Sequence, residues 1–307
     1  MKKIYFLDKT KYWFGLSTIL ICIGFYSMIT NFMSTGSPFA LGIDFTGGVS
    51  FTLNMDQATK EFNANGKLSE KTRSELSQII KEKATKLGIE NLELTTIDKY
   101  LFSLKFKNIK TTSITDLAKQ ITSEIEGATI LSTDFIGPTV GNELQKQALT
   151  IIFAALVLLL IYITFRFEFW AAVAAILALV HDGLILLGMT ALLQIEVNSA
   201  YVAAFLTVMG YSINDTIVIF DRIRENLKNK EATDNLIDLI NQSIAQTMTR
   251  SINTVATVLL SLIAIYLFGG ASIKGFALVL IIGITAGAYS SIFIASPLLY
   301  RFKMLNQ

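Results

Sequence analysis

Apolar stretches of about 20 residues, each long enough to cross roughly 30 Å of hydrocarbon, recur near residues 12–33, 147–166, 169–193, 198–220, 251–269 and 273–299. They predict six transmembrane helices. The first is longer than the core of a signal peptide and lacks a small-residue exit, so it reads as a retained helix. Between the first and second stretches the pattern changes. "VSFTLNM" (49–55) alternates apolar and polar positions as a half-buried strand does, and "SEKTRSELSQIIKEKATKLG" sets Leu76, Ile79, Ile80 and Leu87 on one helical face. "LELTTID" and "YLFSLKF" read as a hairpin. "SITDLAKQITSEIEG" gathers Ile114, Leu117, Ile121 and Ile125 on one face, and "ATILSTDF" is extended again. The order β-α-β-β-α-β predicts a ferredoxin-like α+β domain inserted between helices 1 and 2.

Three regions follow from this pattern: residues 1–33 (N-terminus and first helix), 34–146 (the ferredoxin-like domain with its linkers) and 147–307 (helices 2–6). "GSP" (36–38) and "GPTVG" (137–141) read as punctuation at the junctions. Within the last region, 221–250 carries Leu236, Ile237, Ile240, Ile244, Thr247 and Met248 at helical spacing, which predicts a segment lying along the cytoplasmic interface.

Charge orients these spans. Lys2, Lys3, Lys9, Lys11, Arg166, Arg222, Arg224, Lys228, Lys230, Arg301 and Lys303 fall on one side, against Lys274 alone in the short opposite loops. The positive-inside rule then makes both termini cytoplasmic and the inserted domain extracytoplasmic. Only 16% of residues are charged and 52% are hydrophobic, against about 25% charged in soluble domains, so lipid must solvate much of the chain. A net charge of +2, scattered along the chain, argues against nucleic acid. One cysteine, Cys22, and one histidine, His181, leave no ligand set for zinc.

Against this apolar background the polar residues stand out. Thr207, Tyr211 and Ser212 precede Asp215 on its own helical face, and Asn253, Thr254, Thr257 and Ser261 follow Arg250 on its face; Thr285, Tyr289 and Ser296 mark the sixth span. These faces are expected to meet inside the bundle, with Ala174/Ala178 and Gly283/Gly287 allowing close helix approach. An unpaired charge deep in a membrane helix costs about 2.5–3.5 kcal/mol on insertion scales, so Asp215 is a functional candidate. Arg250 opens the next span at a similar depth and is its expected partner. A structural ion pair, or an arginine that merely snorkels, is the plainer alternative. His181 and Asp182, in "LVHDGLILLG", sit mid-span, where a functional role competes with simple hydrogen-bonded packing. "GIDFTGG" (42–48) lacks the Lys-Ser/Thr pair and following helix of a phosphate loop, and no nucleotide-binding or hydrolase motif occurs elsewhere. No enzyme activity and no cofactor are expected.

"GIDFTGG", "GPTVG", "HDG", "GYSINDTIVIFDRIREN" and "TRSINT", in this order over nearly the whole chain, resemble the SecD/SecF family of bacterial protein-export membrane proteins, and in particular its SecF branch, related to the resistance-nodulation-division transporters. The resemblance implies half of an RND-like bundle in the bacterial inner membrane. SecD, expected here as a separate chain, would supply the other half, beside the SecYEG channel and often YajC. The implied function is late-stage translocation of an unfolded polypeptide driven by the proton-motive force. It implies proton passage at Asp215 and Arg250; Asn214 of the "ND" pair, Asp182 and His181 are further relay candidates by their place in the apolar spans. It also marks Gly42, Asp44, Gly47 and Gly48 as the family's glycine motif. The competing readings are a passive assembly subunit and half of a small-molecule or lipid exporter; the latter would need a drug-sized apolar cleft.

Overall fold

The computed structural model describes residues 6–55, 77–78, 80–82, 92–96, 101–106, 114–124, 128–229 and 235–305. These form two compact units, Leu41–Gln147 and Met1–Ala40 with Ala148–Gln307.

The first unit begins with a one-turn helix, α2 (Ile43–Thr46), which follows the long α1 (Thr10–Thr35) of the other unit in sequence. It continues with β1 (Gly48–Asn54), β2 (Glu93–Thr96), β3 (Leu101–Phe106), α3 (Ile114–Glu124) and β4 (Thr129–Ile136). The strands form one antiparallel sheet in the order β2-β3-β1-β4, with Val49 opposite Phe106 on one side and Phe135 on the other. Alternation aims Val49, Phe51 and Leu53 of β1 into a core shared with Phe102, Leu104 and Phe106 of β3, Ile121 of α3 and Ile80. Ile80 lies in a helical stretch of which 77–78 and 80–82 are described; the rest of the expected first helix, with Leu76, Ile79 and Leu87, lies outside the described residues, as do Ile125 and the Leu117 side chain.

Among the described residues, the membrane unit holds six helices long and apolar enough to cross a bilayer. They are α1, α4 (Pro138–Arg166), α5 (Phe169–Leu192), α6 (Ser199–Lys228), α7 (Leu236–Phe268), and α8 (Ala271–Ser290), which passes through a π-helical turn at Ser291–Ala295 into α9 (Ser296–Leu305). Asn198 and Asn235 cap α6 and α7, their side chains accepting from Tyr201 N at 2.9 Å and Ile237 N at 3.2 Å. At the π turn Ser296 Oγ donates to Ser291 O at 3.0 Å, and Pro297, which has no N–H to give, follows immediately.

Small residues set the close crossings. A Cβ on Gly283 would lie 2.3 Å from Val208 Cγ2, and one on Gly287 would lie 2.8 Å from Ser212 Cβ, so α8 seats against α6 only because both are glycine. Ala174 and Ala178 of α5 are buried as expected. The crossing of α1 on α5 brings backbone against backbone: a Cβ on Gly24 would stand 2.5 Å from Gly188 Cα.

The segment 221–250 is divided between two long helices. Its first part completes α6 through Lys228, and from Leu236 onward it is the continuous first half of α7, whose Leu236, Ile240 and Ile244 are buried in one cluster with Ile219 and Ile223 of α6. Its apolar stripe packs against a neighbouring helix, the alternative to lipid that periodicity alone does not distinguish. "GPTVG" is not loop punctuation: Pro138 opens α4, where its missing N–H costs nothing, and Gly141 N donates to Gly137 O at 3.0 Å.

Candidate functional site

Asp215 lies in the middle of α6 and is 8% exposed. Ser251 Oγ, on the facing turn of α7, donates to its Oδ1 at 2.6 Å, while Oδ2 is buried with no protein partner. The carboxyl is thus anchored at Oδ1, with Ser291 of the π-helical turn as a second hydroxyl acting on it. A cavity of ≈ 40 Å³ borders it, lined by Tyr211, Asn214, Asp215, Arg250 and Thr254 among others. A cavity needs only about 10–15 Å³ to admit a water, so this one is hydratable. Tyr211 closes one side, its hydroxyl donating to Thr254 O at 3.0 Å.

The direct Asp215–Arg250 ion pair expected from the sequence is not formed among the described residues. Arg250 and Ser251 are consecutive, so their side chains diverge by about 100° around the helix. Ser251 faces α6 and is 3% exposed, while Arg250 is exposed and reaches Asp215 only across the shared cavity. Asn214 lines the same cavity and is exposed.

His181 and Asp182 belong to a second cluster, in the middle of α5. Asp182 is fully buried, and its carboxylate accepts from three elements: Ser212 Oγ of α6 and Ser290 Oγ of α8 (2.7 Å) bond Oδ2, and His181 Nδ1 of α5 lies 2.9 Å from Oδ1. His181 Nε2 is buried without a protein partner. The two clusters adjoin through α6 and α8. Ser212 is three residues before Asp215, and Thr216, next to Asp215, pairs with Ser291, next to Ser290, at 2.8 Å. Ser251, Thr216, Ser290 and Ser291 were not singled out from the sequence; the "SS" doublet in an otherwise apolar span was the available signal.

The polar stripes do not all turn inward. Ser212, Asp215, Ser290, Ser291 and Ser296 are buried, whereas Thr207, Asn253, Thr254, Thr257, Ser261 and Thr285 are exposed on this chain. A stripe of hydroxyls along a helix covers more arc than one neighbour occupies, and the part nearest α8 and α5 is the part enclosed.

The glycine motif is a backbone junction within the first unit. Gly42 O accepts from Phe45 N and Thr46 N, both at 3.1 Å, so Asp44 sits in the single turn of α2. Gly47 (φ +67°) and Gly48 (φ +135°) adopt angles that L side chains rarely take, and a Cβ on them would stand 2.8 Å from Pro138 Cα and 2.6 Å from Phe106 O. A Cβ on Gly141 would meet Gly47 N at 2.8 Å. "GIDFTGG" and "GPTVG" are therefore one interlocked feature, with no room for side chains between the chains.

The family model described as protein export membrane protein SecD/SecF, C-terminal, matches residues 116–305, which include both clusters, and the SecD/SecF GG motif matches residues 32–59. The chain belongs to the SecD/SecF family. Among SecF relatives, the protein translocase subunit SecF of Sebaldella termitidis is 37% identical over 297 residues, covering 95% of this chain and 90% of its own. The subunit of the same name from Alicyclobacillus acidocaldarius is 50% identical over 170 residues, 55% of each chain. The crystal structure of SecDF, a translocon-associated membrane protein from Thermus thermophilus, matches with a TM-score of 0.83 at 31% identity. That match covers 99% of this chain and 39% of the SecDF chain. SecDF in its super-membrane-facing form matches with a TM-score of 0.66. With its six spans and this family membership, the chain is a multi-pass membrane protein of the SecF type.

Proposed function

We propose that this chain is a subunit of the Sec protein-export machinery that lets protons pass at Asp215 and uses that passage to assist late steps of polypeptide translocation. The observation that carries the reading is the asymmetry of Asp215: a buried carboxyl with one oxygen anchored by Ser251 and the other without a hydrogen bond among the described residues, in a residue that lines a hydratable cavity shared with Arg250. A proton taken up at Oδ2 needs no anchor to break. Motion of α7 past α6 changes the separation of Asp215 from Arg250, and with it the proton affinity of the carboxyl, so helix geometry and proton occupancy are linked. One charge crossing about 100 mV releases roughly 2.3 kcal/mol, which biases a two-state bundle but calls for repeated strokes to move a whole chain.

In this reading the membrane is the bacterial cytoplasmic membrane, both termini are cytoplasmic and the sheet domain is extracytoplasmic, in keeping with the lysine and arginine distribution. The domain, with its four-stranded antiparallel sheet, would handle the emerging unfolded polypeptide. The partner is SecD, since a relative exists as the fused protein translocase subunit SecDF and this chain corresponds to 39% of such a chain. The exposed hydroxyl stripe of α7, with Thr257 and Ser261, is the face such a partner would cover. The SecYEG channel and YajC complete the proposed assembly, and the role is transport, not enzymatic catalysis. An exporter of drug-sized molecules has less support, because the cavity at the site, ≈ 40 Å³, is far below the roughly 300 Å³ of ligand pockets.

The test is reconstitution of the chain with SecD and the channel in vesicles, following completion of a partly translocated substrate. Acceleration by a proton gradient that vanishes without this chain is the expected result; equal completion rates with and without the gradient contradict the proposal.

A further inference from the structure

We infer that Ser291 is a positioning residue for Asp215, and that the π-helical turn it opens is what allows α8 to bond Asp215 and Asp182 at the same time. The inference rests on the proton-passage reading for what Asp215 does, whereas the contacts that carry it are independent of that reading.

Two features of the sequence place the turn. Pro297 has no N–H for the carbonyl of Phe293, four residues back, and its ring crowds that carbonyl, so regular α-helix is disfavoured where the turn stands. Ser296 supplies a donor at the wider spacing: its hydroxyl reaches Ser291 O, five residues back, at 3.0 Å.

The turn joins two segments with separate anchorages. α8 is seated on α6 at Gly287, where a Cβ would meet Ser212 Cβ at 2.8 Å. α9 is held at the start of α5, with the Phe302 ring 5.6 Å from that of Trp170 and Lys303 Nζ 2.8 Å from Glu168 Oε2. One extra residue in a turn rotates the helix beyond it by about 100° relative to the helix before it. With a regular helix through 291–295, either α9 leaves its seat on α5 or α8 turns on α6. The π turn lets both hold.

The two serines stand where this matters, and both are fully buried. Ser291 lies four residues past Gly287 and on the same face; its hydroxyl pairs with Thr216 Oγ1 of α6 at 2.8 Å and acts on the carboxyl of Asp215. Ser290, about 100° around the helix, turns to α5 and donates to Asp182 Oδ2 at 2.7 Å. Adjacent residues of one helix thus serve carboxyl groups of two others. Ser291 also has only one proton to give, with Gly287 O at 2.9 Å as a competing acceptor. Rotation of this one hydroxyl adds or removes a donor at Asp215 without moving a helix.

The contact is tested by a double-mutant cycle. Ser291→Ala, Asp215→Ala and the double variant of the full chain are unfolded by titration with a denaturing detergent. The account expects effects that depart from additivity by about threefold or more in the folded-to-unfolded ratio, as for residues in contact; additive effects overturn the inference. The role is tested in vesicles holding the chain, SecD and the channel. Ser291→Ala is expected to lower the gradient-dependent acceleration of translocation about tenfold, and Ser291→Cys, similar in size but a weaker donor, to fall between the two. A merely structural loss would slow completion with and without the gradient alike, and that result also overturns the inference. Ser296→Ala/Pro297→Ala leaves every group at Asp215 in place and is expected to lose as much acceleration as Ser291→Ala; wild-type acceleration in this variant overturns the role of the turn. The cycle reads no proton, so the two readings fail separately. Additive effects beside an acceleration that Asp215→Asn abolishes remove Ser291 alone, and coupled effects in a chain whose wild-type complex ignores the gradient remove the Asp215 reading alone.

Discussion

Asp215 and Asp182 are the same residue type in neighbouring helices, and their hydrogen bonds give them different work. Asp182 is bonded by groups of three elements, whereas Asp215 is held at Oδ1 by Ser251, has Oδ2 without a geometric hydrogen bond among the described residues, and lines a cavity. Ser251 is then the residue that aims the open oxygen. Ser251→Ala is expected to lower gradient-driven export about tenfold, in line with the loss of a hydrogen bond to a charged group, while Ser251→Thr retains most of it. Export rates of reconstituted variants with matched assembly check this. At this scale the sequence exposed Asp215, His181 and Asp182 readily, because ionisable groups are rare in apolar runs. It misassigned the partner of Asp215, since Arg250 is the conspicuous neighbour by charge whereas the contact is made by the small hydroxyl next to it. A serine in a helix bonds its own preceding carbonyl as easily as a neighbour, so Ser251, Ser290 and Ser291 carry no signal until the helices are placed.

Among the elements, long apolar runs revealed all six spans, but two helix extents were hidden. The first turns of α4 are polar, with "GNELQKQ" reading as linker, and the first half of α7 is amphipathic, which fits an interface as well as a packed hairpin. Helix crossings were legible where small residues repeat at spacing four, as at Gly283/Gly287, and illegible at Gly24/Gly188, where one glycine from each helix meets the other and no repeat exists in either. The two crossings make different predictions. Gly283→Ala meets the Cβ and both methyls of Val208, a side chain stiff at χ1, and is expected to cost about 1–3 kcal/mol, the range for overpacking. Gly24→Ala meets the Gly188 backbone and is expected to cost more, whereas Gly15→Ala, with nothing within 4 Å, is neutral or stabilising. Thermal unfolding of the three variants in one detergent orders them; a Gly24→Ala protein as stable as Gly15→Ala would show that α1 does not cross α5 at this point.

For the whole molecule, a sheet with its own core and a helical unit with another are joined in one chain. Residues 41–147 are accordingly expected to fold when expressed alone, giving a dispersed NMR spectrum that Gly141→Ala degrades through its clash with Gly47. A spectrum of narrow dispersion from the wild-type fragment would mean that the sheet depends on the membrane unit. The strand segments were legible from their alternation, while the outward hydroxyl stripe of α7 became meaningful only when the bundle was seen to leave it uncovered. Asp215→Asn preserves size and hydrogen bonding with Ser251 but removes the titrating group. The decisive measurement is the completion of substrate translocation in vesicles holding this chain, SecD and the channel, with and without an imposed proton gradient. The account predicts that Asp215→Asn assembles normally and loses the entire gradient-dependent acceleration, with Asp215→Glu keeping part of it; an Asp215→Asn complex that responds to the gradient like wild type would contradict it.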